Sequence, residues 1–158
     1  MGSEMCIRDR RLVTETLLCN GAEAAGFVPL YGGGADPEES LGTVAAALEA
    51  EVLPLDVCVL GMGADRHTAS LFPGADRLAD ALAAEAPPVL VLRAPGAPEP
   101  RVTLTAPVLR GAAKVYLLIT GEAKAAALET ALGVGPEEEA PVRAVLRRAG
   151  PVEVFYAP

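Results

Sequence analysis

The clearest hydrophobic pattern along the chain is a helical one between residues 36 and 52. Asp36 precedes Pro37 and is followed three residues on by Glu39, an order typical of a helix N-cap with its capping-box partner. The apolar positions that follow at helical spacing are Leu41, Val44, Ala45, Leu48 and Val52. The pattern predicts a helix that begins at Asp36 and that Pro54 ends.

Four short apolar runs are typical of strands, at residues 55–60, 89–92, 115–119 and 152–156. The first of them, LDVCVL, has no polar alternation, which predicts a strand buried on both faces. Each run is too short to form an ordinary helix of three or more turns. We therefore expect four strands, with the first leading directly into a glycine-rich loop.

Helical segments separate these strands. Residues 106–113 and 122–132 each begin with features of a first helical turn, and residues 141–149 end at a glycine. Residues 12–18 fit a helix or a strand equally well, and the proline-rich residues 95–100 are expected to be a loop. Strands that alternate with helices predict an α/β fold of Rossmann-like type, with a mainly parallel sheet and helices on both faces.

Composition narrows the function classes. A length of 158 residues favours one domain, and no apolar window is long enough to predict a membrane span. The formal net charge of -8 is the wrong sign for attracting nucleic acid or anionic lipid. We expect a soluble protein with neither nucleic acid nor membrane as a partner.

The cysteines and the single histidine narrow the chemistry further. Cys6, Cys19 and Cys58 form no CxxC pair, so reduced thiols in the cytoplasm are the simplest interpretation. His67 has no neighbouring cysteine in sequence and no second histidine, and a zinc site needs several such ligands. We therefore expect no metal.

The glycine-rich loop at residues 61–74, GMGADRHTASLFPG, holds the candidate catalytic groups. Gly61 and Gly63 allow a sharp turn and close approach to a ligand, while Asp65 and His67 stand two residues apart. A neutral His67 can take a proton from water, and Asp65 can orient the ring. The alternative is a histidine that only caps a turn or forms a core hydrogen bond.

Two cationic side chains are candidates for binding an anion. Lys124 lies in the first turn of the helix predicted after Gly121, where unpaired N–H groups also favour negative charge. Arg101 follows the proline-rich stretch, and we expect it to contribute a second positive group from an adjacent loop. The spacing alone also fits two ordinary solvated side chains.

Two other site classes do not fit the glycine-rich loop. A dinucleotide-binding GxGxxG motif would need glycine at position 66, where the chain has Arg66, and Pro73 would interrupt the following helix. The chain contains no GxSxG motif of a serine hydrolase.

Four segments resemble the 6-phosphogluconolactonase family, in matching order along the chain. They are LGMGADRHTASLFPG at 60–74, RVTLTAPVL at 101–109, ITGEAKA at 119–125, and residues 152–156. The family motif reads GxDGHTASLFPG, and Arg66 replaces the glycine that precedes the histidine. If that position requires a positive φ, arginine there strains the loop.

The resemblance implies hydrolysis of 6-phosphoglucono-δ-lactone in the pentose phosphate pathway without a metal or organic cofactor. His67 is then the general base, and Lys124 and Arg101 bind the phosphate of this small phosphorylated sugar lactone. The related glucosamine-6-phosphate deaminases have a similar histidine loop but a different sequence after the histidine. The lactonase family is the better match.

The resemblance also bears on domain organisation. Residues 11–158 look like the C-terminal portion of such an enzyme, and residues 1–10 look like an unrelated leader. The family's Ser-Gly-Gly-Ser phosphate loop and Asp-Glu-Arg segment do not precede Arg11. We therefore expect a fold incomplete at its N-terminus and impaired activity. The alternative is a non-catalytic remnant that binds sugar phosphates weakly.

Overall fold

The computed structural model describes residues 3–32, 36–95 and 97–158. The helices are α1 (Ser3–Thr16), α2 (Leu41–Glu51), α3 (Leu78–Leu82), α4 (Ala106–Gly111), α5 (Glu122–Leu132) and α6 (Arg143–Leu146). The strands are β1 (Val57–Gly61), β2 (Val89–Ala94), β3 (Ala97–Leu104), β4 (Lys114–Thr120) and β5 (Val152–Ala157). The predicted α/β class is confirmed.

The main sheet is parallel and has three strands in the order β1-β4-β5. Val57 pairs with Lys114 at one end of β1, and Gly61 pairs with Leu118 at the other. Each link between parallel neighbours passes through helical segments, as parallel pairing requires. The carboxyl ends of β1 and β4 therefore lie side by side.

A two-stranded antiparallel hairpin, β2-β3, stands apart from the parallel sheet. The prediction of a loop at residues 95–100 is wrong for residues 97–100, because β3 begins at Ala97 and pairs Arg101 with Leu92. Proline lacks an N–H donor but is tolerated on a strand with one free edge, as both strands of an isolated hairpin have. A proline-rich sequence therefore does not exclude a strand here.

The predicted N-terminal cap of the helical stretch at residues 36–52 is confirmed. The Asp36 carboxylate accepts a hydrogen bond from the Glu38 N–H at 3.1 Å, one position earlier than the capping-box geometry predicts. The reason is that Pro37–Ser40 forms a tighter 3-10 turn before α2 begins. Val44 and Leu48 of α2 pack with Val89 in a small core on one side of the hairpin.

The N-terminal helix crosses the expected boundary between leader and domain. Residues 12–18, which the sequence left undecided, belong mostly to α1, which runs without a break from Ser3 to Thr16. The boundary at Arg10 stays a prediction.

The larger core covers one face of the parallel sheet. Cys58 and Leu60 of β1 point into it, as do Val115, Leu117 and Ile119 of β4. The intervening residues face outward, and the exposed apolar side chains of the sheet are Val57, Val59, Leu118, Val154, Phe155 and Tyr156. The prediction that the β1 segment is buried on both faces is wrong. Among the described residues only one face of β1 is covered, and a run of apolar residues does not indicate which of its faces other elements cover.

Two adjacent leucines of β4 test this asymmetry. Leu117 is 1% exposed and Leu118 is 48% exposed. We expect Leu117→Thr to lower the free energy of unfolding by about 3 kcal/mol, since it removes buried apolar volume, and Leu118→Thr to change it by about 0.5 kcal/mol or less. Thermal melts of the two variants measure the difference. Equal losses would show that another surface covers the outer face in solution.

Candidate active site

The histidine loop lies where two neighbouring parallel strands end. Gly61 ends β1 and residues 62–74 follow it, while Gly121 and α5 follow β4. Ligands of open α/β sheets bind at this edge. The loop and the first turn of α5 therefore face the same space.

Asp65 and His67 form a close pair within the loop. The Asp65 Oδ1 atom lies 2.6 Å from His67 Nδ1 and also accepts a hydrogen bond from the His67 N–H at 3.2 Å. An ionised carboxylate can only accept, so Nδ1 carries the proton and donates it. In the neutral ring the lone pair then resides on Nε2, the atom available to act as a base.

The electrostatics of Asp65 support this tautomer. Burial raises the pKa of Asp65, but the hydrogen bonds from the His67 ring and N–H outweigh it and hold that pKa below its ordinary value. The carboxylate is therefore ionised at neutral pH and remains an acceptor for Nδ1.

Gly63 makes room for this pair. A Cβ atom at Gly63 would overlap the Asp65 carboxylate and the His67 ring, whereas a Cβ at Gly61 would meet only the Leu118 carbonyl at 3.9 Å. The role expected for Gly63 was close approach to a ligand. That role stays a prediction, and the structure shows that the missing side chain makes room for the Asp65 carboxylate and the His67 ring.

Phe72 restricts the imidazole from one side, and sequence reasoning did not single it out. Its ring stacks on His67 with centroids 4.2 Å apart and an interplanar angle of 29°. With Asp65 holding the ring edge and Phe72 its face, His67 has little rotational freedom. Phe72 stands inside the quoted motif, but nothing in the spacing indicates that it contacts the histidine.

Buried hydroxyl groups fix the loop to the fold. Thr68 is fully buried and its hydroxyl donates to the Gly61 carbonyl at 2.9 Å. Thr103 of β3 accepts a hydrogen bond from the Ser70 N–H at 3.2 Å. These bonds tie the loop to the end of β1 and to the hairpin, so His67 sits on a rigid segment.

Lys124 reaches the same pocket as His67. This cavity of about 320 Å³ is lined by Val59, Leu60, Gly61, Met62, Gly63, His67, Ala69 and Lys124. Within the described ranges Lys124 forms no salt bridge, and it stands in the first turn of α5, where the helix dipole disfavours a cation. An anion bound there would offset that cost.

The helix that carries Lys124 follows Gly121, whose backbone conformation requires glycine. Gly121 has φ +83° and ψ 152°, a conformation essentially limited to glycine. Its N–H donates to the Ala157 carbonyl at 2.8 Å, which ties the start of α5 to the end of β5. After the turn at Gly121, α5 packs Ala127 and Ala131 into the core that covers one face of the sheet.

Arg101 is not brought into this pocket. It lies in β3 rather than in the expected loop, and it is not among the residues that line the cavity. Residues two apart in a strand share a face, so Arg101 is on the side of β3 where Thr103 contacts the histidine loop. The structure therefore places His67 and Lys124 in one pocket, Asp65 in contact with His67, and Arg101 outside the pocket on β3.

Arg66 has the positive φ that would favour glycine at this position of the family motif. Its φ is +70°, in the left-handed region that favours glycine. Its Nε atom is buried without a hydrogen-bond partner among the described residues, while its carbonyl accepts from the Val142 N–H at 3.1 Å. The arginine side chain thus adds strain without a compensating hydrogen bond at Nε.

We expect Arg66→Gly to raise the stability of the protein by about 1 kcal/mol, because glycine relieves the unfavourable φ. The backbone carbonyl that Val142 uses is retained. Ala64→Gly is the matched control, since Ala64 lies in the same loop at a position without positive φ. That variant should melt at a lower temperature than the parent, and a lower midpoint for Arg66→Gly as well would show that Arg66 is relaxed where it stands.

Among the residues that the structure describes, no group of three or more His, Cys, Asp or Glu side chains could hold a metal ion. No described helix is both long enough and apolar enough to span a bilayer.

Comparison with known proteins gives a consistent family. Residues 8–154 match the family model described as glucosamine-6-phosphate isomerases/6-phosphogluconolactonase. The chain is 45% identical to the 6-phosphogluconolactonase of Rhizobium meliloti, over 95% of this chain and 66% of that relative. It is 43% identical to the 6-phosphogluconolactonase of Pseudomonas aeruginosa, over 93% of this chain and 61% of that relative.

Solved structures agree with the sequence relatives. A 6-phosphogluconolactonase from Shewanella baltica superposes with a TM-score of 0.88 and 36% identity, over 94% of this chain and 64% of its own. A monomeric glucosamine-6-phosphate deaminase has a TM-score of 0.63 at 18% identity, which shows a shared fold alone. The chain thus spans 61% to 66% of the length of these three 6-phosphogluconolactonases and 55% of that deaminase.

Proposed function

We propose that this chain, which belongs to the family of glucosamine-6-phosphate isomerases and 6-phosphogluconolactonases, carries the catalytic base and a phosphate-binding lysine for hydrolysis of 6-phosphoglucono-δ-lactone. The observation that carries the proposal is that His67, whose ring is held by Asp65, lines one pocket together with Lys124. Hydrolysis of a lactone needs a base that takes a proton from the attacking water, and binding of the sugar phosphate needs a cation at a distance from that base. The pocket offers both.

In the proposed reaction His67 Nε2 takes a proton from a water molecule whose oxygen attacks C1 of the lactone. Asp65 holds Nδ1 and stabilises the imidazolium that forms. The bond between C1 and the ring oxygen then breaks, and the imidazolium returns its proton to that oxygen, which leaves as a hydroxyl group. This proton return restores the neutral imidazole, and the product acid then ionises in water. No step of the proposed reaction uses a metal or an organic cofactor.

Lys124 contributes binding energy rather than chemistry. An ammonium at the N-terminal turn of α5 acts together with the free N–H groups of that turn on a phosphate dianion. Holding the phosphate fixes the distance between the lactone carbonyl and His67 Nε2. We assign Arg101 a secondary role at the same end of the substrate, since it lies on the side of β3 that faces the loop.

The cytoplasm is the proposed location. Cys19 and Cys58 are free thiols, and burial raises the pKa of the Cys58 thiol, which keeps it neutral. Free thiols are typical of a reducing compartment.

The deciding experiment measures acid release from fresh 6-phosphoglucono-δ-lactone in a pH-stat, corrected for spontaneous hydrolysis. It uses the 158-residue chain and the same chain joined to the N-terminal third of the Shewanella relative. Hydrolysis above background by the joined chain is expected, with the shorter chain slower. No hydrolysis by either, with 6-phosphogluconate still bound, would favour the non-catalytic binding module. Release of ammonia from glucosamine 6-phosphate would favour a deaminase.

A further inference from the structure

Arg143 is a buried cation whose hydrogen bonds all go to backbone carbonyls. It is 4% exposed, and its guanidinium donates to the carbonyls of Ala131 at 3.0 Å, Thr130 at 3.1 Å, Pro136 at 2.9 Å and Val134 at 3.4 Å. The last carbonyls of a helix lack partners within the helix and carry partial negative charge. Arg143 thus clamps the C-terminal end of α5 and the loop after it to the start of α6.

The loop after α5 is shaped around this guanidinium. A Cβ atom at Gly135 would overlap the Arg143 side chain, and Gly135 has φ +153°. Among the described residues no carboxylate forms a salt bridge with Arg143. The positive charge is therefore satisfied by the carbonyl cage alone, which forms only when α5, the loop and α6 are in register.

The residue before Arg143 contacts the histidine loop through its backbone. The Val142 N–H donates to the Arg66 carbonyl at 3.1 Å. That carbonyl belongs to the same peptide group as the His67 N–H, which donates to Asp65 Oδ1 at 3.2 Å. The peptide group that leads into His67 is therefore held at its oxygen and at its nitrogen.

We propose that Arg143 is a positioning residue for His67, acting through Val142 on the peptide group between Arg66 and His67. The proposal rests on the proposed function for the role of His67. Because α5 carries Lys124 in its first turn and two acceptors of Arg143, Thr130 and Ala131, in its last turn, Arg143 also links the phosphate-binding helix to the catalytic loop.

The consequence is that the neutral His67 ring carries its proton on one particular nitrogen. With the peptide group held, Asp65 meets Nδ1 and the neutral ring keeps its proton there. When α6 is released from α5, the peptide group rotates, the contact between Asp65 and Nδ1 opens, and the proton redistributes between the two ring nitrogens. A ring that already carries its proton on Nε2 cannot accept a proton from water at that nitrogen.

The experiment reads the tautomer directly. The chain has one histidine, so ¹⁵N NMR of the labelled ring reports His67 without overlap. At a pH where the ring is neutral, the parent is expected to show the Nδ1–H form, and Asp65→Ala is the reference for its loss. Arg143→Met should move the pattern toward that reference. Arg147→Met is the control, because Arg147 also donates to the Gly133 and Gly135 carbonyls but is exposed.

A folded Arg143→Met variant with the parent tautomer would overturn the proposal, and so would an equal shift in Arg147→Met. If Arg143→Met does not fold, Arg143→Lys and Gly135→Ala replace it. Each keeps a cation at position 143 but disturbs its hydrogen bonds to the backbone carbonyls, and the same two outcomes would overturn the proposal. The NMR measurement uses no substrate. Absence of lactone hydrolysis would therefore contradict the proposed function without changing the tautomer result.

Discussion

His67→Asn is expected to lower kcat for hydrolysis of 6-phosphoglucono-δ-lactone by about 10²-fold or more, the usual contribution of a general base. Asparagine is similar in size but cannot take a proton from water. KM and the affinity for 6-phosphogluconate should change little, because in the proposed reaction His67 acts at the reacting carbon and Lys124 at the phosphate. The measurement is steady-state kinetics on the chain joined to the N-terminal third of a relative.

Binding of 6-phosphogluconate and the melting temperature serve as controls for that variant. A folded His67→Asn protein that binds product normally and turns over slowly would place His67 in the chemical step. Unchanged kcat would remove His67 from its proposed role, and a loss confined to KM would show that it only binds substrate.

Lys124→Ala should raise KM for the phosphorylated lactone by about 10- to 100-fold, since a hydrogen bond to a charged group contributes about 1.5 to 3 kcal/mol. Glucono-δ-lactone, which lacks the phosphate, should be hydrolysed equally well by the parent and the variant. Folding should not suffer, because Lys124 forms no salt bridge among the described residues and stands where the helix dipole disfavours a cation. Kinetics with the two lactones give the comparison.

Lys114→Ala is the matched control, because Lys114 and Lys124 are the two lysines of the chain and Lys114 begins β4, at the end opposite the pocket. Its kinetics should equal those of the parent. If Lys124→Ala slows both lactones equally, Lys124 takes part in chemistry or folding rather than in phosphate binding.

Several elements could be predicted because local chemistry decides them. Residues 122–132 form α5 with the predicted bounds, since helix-forming residues follow a glycine that turns the chain. The Asp36 cap formed because its carboxylate bonds an N–H only two residues away. The short helix α3 was missed, since five residues give too little periodicity to recognise.

Pairing between strands was harder to predict, because it depends on partners distant in sequence. The strand β3 contains prolines that locally favour a loop, and only its hydrogen bonds to β2 make it a strand. In the same way, β1 is uniformly apolar, and which of its faces is covered depends on the helices packed against it.

The sequence by itself determined the chemistry of the candidate site: a histidine and an aspartate two residues apart after a strand, and a lysine in the first turn of a later helix. Their types and short spacings are local properties, so they can be read along the chain. Only the tertiary structure decided that Asp65 holds Nδ1, that Phe72 stacks on the ring, and that Val142 fixes the peptide before His67. These contacts depend on side-chain direction and on packing between distant segments, which residue spacing does not encode.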